Sequence, residues 1–125
     1  MAKKLLVSPI LKWVGGKRQL LSEILPMINV KSGSTYVEPF LGGGAVLFDL
    51  QPKKAIVNDY NDELINVYLT VRDSAEELIE ELEKHNVNNS EDYYYEVRAL
   101  DRNEKYQEMT NVEKAARILY LNKTC

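Results

Sequence analysis

Two glycine clusters in this sequence stand among residues able to hold a charged or nucleotide-like ligand. In VEPFLGGGAVLF, residues 37–48, Glu38 and a proline precede Phe40, Leu41 and three consecutive glycines, Gly42, Gly43 and Gly44. In LKWVGGKRQLL, residues 11–21, a glycine pair lies between Lys12 and Trp13 on one side and Lys17 on the other. Consecutive glycines let the backbone pass close to a ligand, and a following helix N-terminus offers free N–H groups, for which phosphate is the usual tenant. Neither cluster is a P-loop, because Leu11 and Arg18 occupy the positions where a glycine and a Ser or Thr are needed. The cluster at 37–48 is also a poor dinucleotide fingerprint, since Gly42 and Gly44 supply the first pair but Leu47 takes the place of the third glycine.

Glu38 and Asp59 narrow the chemistry. A carboxylate at the mouth of the turn repels a pyrophosphate and favours a ligand with cationic groups. S-adenosylmethionine has an ammonium and a sulfonium and no phosphate. Asp59 follows a second apolar run, KKAIVND, and an acid at such a strand end can accept both hydroxyls of a ribose. Trp13 can stack on a ring, and Lys12 or Lys17 can meet a carboxylate. Each residue also has a plainer reading: Trp13 as a core anchor, Asp59 as a helix N-terminal acid, Glu38 as a surface charge.

These residues need elements to position them. GKRQLLSEIL has helical spacing at Leu20, Leu21, Ile24 and Leu25 and stops near Pro26. STYVEP predicts a strand ending at Glu38, AVLFDL a brief helix, and KKAIVND a buried strand stopping at Asn58 or Asp59; together they form a βαβ unit. Beyond residue 61 the pattern is helical. NDELINVYLTVRD carries a stripe of Leu64, Ile65, Tyr68, Leu69 and Val71. SAEELIEELEKHN opens with a capping box, Ser74 with Glu77, and TNVEKAARILYLNK opens with another, Thr110 with Glu113. A further helix falls within SEDYYYEVRALDRNE, where Tyr93, Tyr94 and Tyr95 read as packing residues more than as DNA contacts. His85 reads as a plain surface residue without metal-ligand spacing. The expected fold is α/β over 1–61 and helical over 62–125, with no internal repeat and no low-complexity linker.

The bounds agree with one globular domain or a large piece of one: 125 residues, 45% hydrophobic and 28% charged. No apolar run approaches the ~20 residues needed to span a bilayer and no signal-peptide pattern opens the chain, so a cytoplasmic location and no membrane partner are expected. The single cysteine, Cys125, excludes an internal disulfide and a Cys-based metal site. Net charge is −3, unevenly spread: residues 1–31 hold six bases against one acid, and the rest ten bases against eighteen acids. The basic end suits phosphate, a carboxylate, or solvent alone.

LKWVGGKRQLL, YVEPFLGGGAVLF, IVNDYNDELINVY and LYLNKT, in this order and spacing, closely resemble the N-terminal part of Dam-type adenine-specific DNA methyltransferases. The resemblance implies the N-terminal part of a Rossmann-like methyltransferase sheet over 1–61, followed over 62–125 by helices that begin a target-recognition domain docking on duplex DNA. It implies S-adenosylmethionine as cofactor, with roles for Trp13, Lys17, Asp59 and the backbone of Phe40, Gly42, Gly43 and Gly44; Glu38 joins these candidates by its charge at the mouth of the turn. No metal is implied. Family members methylate the exocyclic amine of an adenine flipped from the duplex.

One departure bears on activity. Such enzymes carry an Asp-Pro-Pro-Tyr segment that holds the adenine amine, whereas the four prolines here, Pro9, Pro26, Pro39 and Pro52, are never adjacent. No catalytic residue is therefore expected within the chain, which reads as truncated. Two other readings stand beside this one: an S-adenosylmethionine-dependent enzyme acting on RNA or a small molecule, and a non-enzymatic truncated module whose helices pair with a partner.

Overall fold

The computed structural model describes residues 8–13, 17–29 and 31–125. Lys3, Lys4 and the Gly15–Gly16 pair lie outside the described residues. The chain divides into two compact units, Met1–Tyr60 and Asn61–Cys125.

In the first unit the expected N-terminal helix is broken into a 3-10 turn at Arg18–Leu20, a single α turn, α1 (Leu21–Ile24), and a second 3-10 turn at Leu25–Met27 that contains Pro26. A proline lacks the N–H that would extend an α ladder. Strand β1 (Tyr36–Glu38), helix α2 (Ala45–Leu50) and strand β2 (Ala55–Val57) form the βαβ unit, with the strands parallel and Glu38 opposite Val57. Pro39 ends β1, yet the pairing continues past it: Asn58 N–H donates to Glu38 C=O and Leu41 N–H to Asn58 C=O, both at 2.9 Å. The glycine turn is thereby fastened to the end of β2. Leu11, Leu41, Ala45 and Val46 form the apolar core of this unit. Strand β2 was expected to be buried and is not; Ile56 is 63% exposed. A two-stranded sheet leaves one edge of each strand unpaired and has too little covering structure to bury both faces.

The second unit is built around α7 (Asn111–Thr124), which packs against α3 (Asp62–Asp73), α4 (Ala75–Val87) and α5 (Glu91–Ala99); α6 (Lys105–Glu108) is one short turn between α5 and α7. Ala115 and Ala116 are fully buried and let neighbouring helices approach α7 closely, while Leu64 and Val67 of α3 are the largest fully enclosed side chains. The α3 stripe is therefore shifted from the expected one: Leu64, Val67 and Thr70 are buried, and Leu69 and Val71 are exposed. Thr70 is tolerated inside because its hydroxyl donates to the Asn66 carbonyl at 2.7 Å.

The Thr110–Glu113 capping box is present with both bonds. The one expected at Ser74 is absent, because Ser74 also ends α3, donating its N–H to Thr70 C=O, and has φ −140° and ψ 42°. That conformation differs from the extended one from which an N-cap side chain reaches back to the first turn. His85 is not a plain surface residue. It is half-buried, stacked on Tyr120 at 4.9 Å with a 17° interplanar angle, and its Nδ1 lies 2.7 Å from the Tyr93 hydroxyl. Tyr120 in turn donates to Asn89 Oδ1. Three helices contribute to this aromatic cluster, so no local spacing announces it. Tyr93 and Tyr94 pack as expected against Tyr120, whereas Tyr95 is 55% exposed.

Candidate functional site

The glycine turn is held by the chain's own groups on three sides. Gly42 has φ +55°, a left-handed conformation in which a side chain is strained, and its N–H donates to Asp59 Oδ2 at 2.9 Å. A Cβ on Gly43 would meet the Leu11 carbonyl oxygen at 3.2 Å and Trp13 Cβ at 3.4 Å. Trp13 Cδ1 lies 3.5 Å from where a Cβ on Gly42 would sit. The glycines thus admit the Leu11–Trp13 segment against the turn. Trp13, Gly42, Gly43 and Asp59 come together at the carboxyl ends of two parallel strands, the edge at which α/β sheets bind ligands. Gly44, also left-handed at φ +76°, is the N-cap of α2.

Lys17 and Glu38 are brought to each other. The Glu38 side chain is buried, and its two oxygens have separate partners: Lys17 Nζ at 2.6 Å on Oε1 and the Tyr36 hydroxyl at 2.6 Å on Oε2. Lys17 Nζ also donates to the Phe40 carbonyl at 3.1 Å, tying the segment before α1 to the entry of the glycine turn. Burial first, then the hydrogen bond to Glu38 and its charge, push the Tyr36 phenol well above its usual range, so it remains a donor. Glu38 is neither the surface charge of the plainer reading nor an open anionic mouth. The Phe40 ring, by contrast, is 72% exposed.

Sequence reasoning passed over Tyr36, Leu11 and Asn58. Tyr36 was findable, because residues two apart on a strand share a face. The Leu11 and Asn58 contributions are backbone carbonyls, to which residue type gives no clue.

Among the described residues no group of His, Cys, Asp and Glu is placed to hold a metal ion, and no helix is long and apolar enough to cross a membrane.

The first unit is thus a parallel βαβ unit whose glycine turn is clasped by Asp59, two residues past the second strand. Residues 13–125 match the family model of the D12 class N6 adenine-specific DNA methyltransferases, and the chain belongs to that family. It is 47% identical over 118 residues to a Type II methyltransferase of Lactococcus lactis subsp. cremoris, an alignment covering 94% of this chain and 41% of the relative. A Type II methyltransferase of Methanocaldococcus jannaschii is 40% identical, with 95% of this chain and 46% of the relative covered. The DNA adenine methylase of Serratia marcescens is 32% identical, with 92% and 41% covered. The chain therefore spans less than half the length of these relatives.

Proposed function

We propose that these residues are the cofactor-holding part of an adenine-specific DNA methyltransferase, with S-adenosylmethionine bound over the glycine turn and duplex DNA as the substrate of the whole enzyme. The observation that carries the reading is the Asp59–Gly42 clasp at the carboxyl end of β1 and β2, in a chain of this family. A carboxylate has about four acceptor sites, so receiving the Gly42 amide and receiving a ribose hydroxyl are compatible. Trp13 supplies an aromatic surface beside the turn. Lys17 uses two of its three N–H groups on Glu38 and Phe40, which leaves one donor for a ligand carboxylate.

Bound S-adenosylmethionine supplies the methyl group. Within this chain Asp59 orients the nucleoside end, the Phe40–Gly44 backbone sets its distance from the sheet, and Trp13 closes one side. The acceptors that localise the electrons of the adenine amine as the new bond forms are assigned to a region outside residues 1–125, where the Asp-Pro-Pro-Tyr element would lie. Exposed Val37, Ile56 and Val57 support further sheet in the whole enzyme, of which β1–α2–β2 would be one Rossmann-like unit. The helical unit is read as the start of the target-recognition domain. It carries an open groove of about 660 Å3 lined in part by Tyr94, Tyr95 and Arg98, groups suited to bases and phosphates.

The test is transfer of a radiolabelled methyl group to adenine-methylation-free duplex DNA. It would be run with this chain, with a full-length polypeptide that continues it, and with this chain mixed with the separately made remainder. Methylation by the full-length protein or the mixture alone is expected; methylation by residues 1–125 alone overturns the assignment of catalysis elsewhere. In the full-length protein Asp59→Ala is expected to weaken cofactor binding by about 1–3 kcal/mol, measured by calorimetry.

A further inference from the structure

At the amino-terminal ends of the strands, opposite the candidate cofactor edge, the first unit has a concavity of about 340 Å3. Three lysines line it, Lys31, Lys53 and Lys54, and no carboxylate does. Two backbone features bring them together. The turn closed by Ser34 N–H on the Lys31 carbonyl precedes β1, and Tyr36 N–H donates to the Lys54 carbonyl, so the residues entering β1 lie beside those entering β2. No side-chain ion pair joins any of the three lysines to a described residue.

A second observation is independent of the lysines. Gln51, also in the lining, has its amide Nε2 buried with no hydrogen-bond partner among the described residues. It is the one non-glycine residue with positive φ, 48°, among the described residues. A buried donor without an acceptor costs free energy, and native structures rarely keep one unexplained. Three ammonium groups and an unmatched amide donor all ask for the same thing, an acceptor-rich anion.

We propose that this concavity is a phosphate-binding site, with Lys31, Lys53 and Lys54 as its cations and the Gln51 amide as its buried donor. Phosphate fits better than a carboxylate because it offers more acceptor oxygens to donors arriving from the turn, the end of α2 and the start of β2. The phosphate can come from a phosphodiester backbone or from a free phosphate compound. The site is separate from the cofactor edge and does not depend on the function proposed above.

The experiment follows the thermal midpoint of the full chain during titration with pyrophosphate, with sodium chloride at matched ionic strength as control. A saturable rise of about 4 °C or more is expected with pyrophosphate and not with chloride. Lys53→Gln combined with Lys54→Gln should abolish the rise. Gln51→Met keeps the side-chain length and the same backbone strain but removes the unmatched donor. It should therefore raise the midpoint without ligand and reduce the response to pyrophosphate. A short duplex DNA that displaces pyrophosphate identifies a phosphodiester source; failure to displace it identifies a free phosphate compound, and either result supports the site. Equal responses to pyrophosphate and chloride, or a response unchanged in both variants, would overturn the proposal.

Discussion

Lys17 illustrates how a residue can serve a site by holding other residues. Its ammonium neutralises a buried carboxylate and grips the carbonyl at the entry of the glycine turn. Lys17→Met leaves the Glu38 charge buried with only the Tyr36 hydroxyl, and partial exposure of Lys17 moderates the cost to about 1–3 kcal/mol. Adding Glu38→Gln should recover most of that loss. Urea denaturation of the wild type, both single variants and the double variant measures it; additive losses would show that the two residues act separately. His85 supplies a pH dependence at the same scale. Burial lowers its folded-state pKa below the ordinary 6.5, only partly offset by the negative charge of Glu81. The unfolded chain therefore binds the extra proton first. The stabilisation is complete above about pH 6.5 and is lost as pH falls from there through the lower folded value. His85→Phe, which keeps the stack on Tyr120, should flatten the fall in thermal midpoint between about pH 6.5 and 5.

Elements differ in how far their local signals survive packing. The two capping sequences look alike, but Thr110 receives the Glu113 N–H while Ser74 makes no cap bond. Thr110→Ala is expected to cost about 1 kcal/mol in urea denaturation, and Ser74→Ala only a few tenths. Equal losses would mean that the Ser74 hydroxyl works in the folded chain in some way other than as a cap. Arg117 is an element-scale staple of a less familiar kind. Buried within α7, it donates to the Val97 carbonyl, which also receives the Leu100 N–H, and to the Arg98 carbonyl at the end of α5, and it lies 3.4 Å from Asp101. Tyr106 covers this region, and burial followed by its bond to Glu63 pushes its phenol up to about 12.

For the whole molecule the two units differ in charge. Met1–Tyr60 contains eight bases and four acids, a balance of +4, and Asn61–Cys125 eight bases and fifteen acids, a balance of −7. Non-specific DNA affinity comes from neutralising phosphates. The chain alone should therefore bind duplex DNA more weakly than about 10⁻⁴ M at physiological salt. Fluorescence anisotropy with a labelled duplex checks this, and micromolar binding would show that the positive groups act as a coherent surface despite the balance.

Residue type and spacing by themselves determined the βαβ unit, the Thr110 cap, the succession of helices and the family resemblance, because each depends on groups near in sequence. β1 was legible from three residues and Pro39, and the glycine turn from its composition. Tertiary structure alone decided which side of α3 is buried, since that depends on where α7 lies, and it alone drew His85 into a cluster with tyrosines from two other helices. It also decided what the glycines accommodate. A Cβ on Gly43 would be crowded by a carbonyl from Leu11, thirty-two positions away, at 3.2 Å. Composition announces that the backbone approaches something closely; only the folded chain specifies what, because the contact is to a main-chain atom that every residue carries.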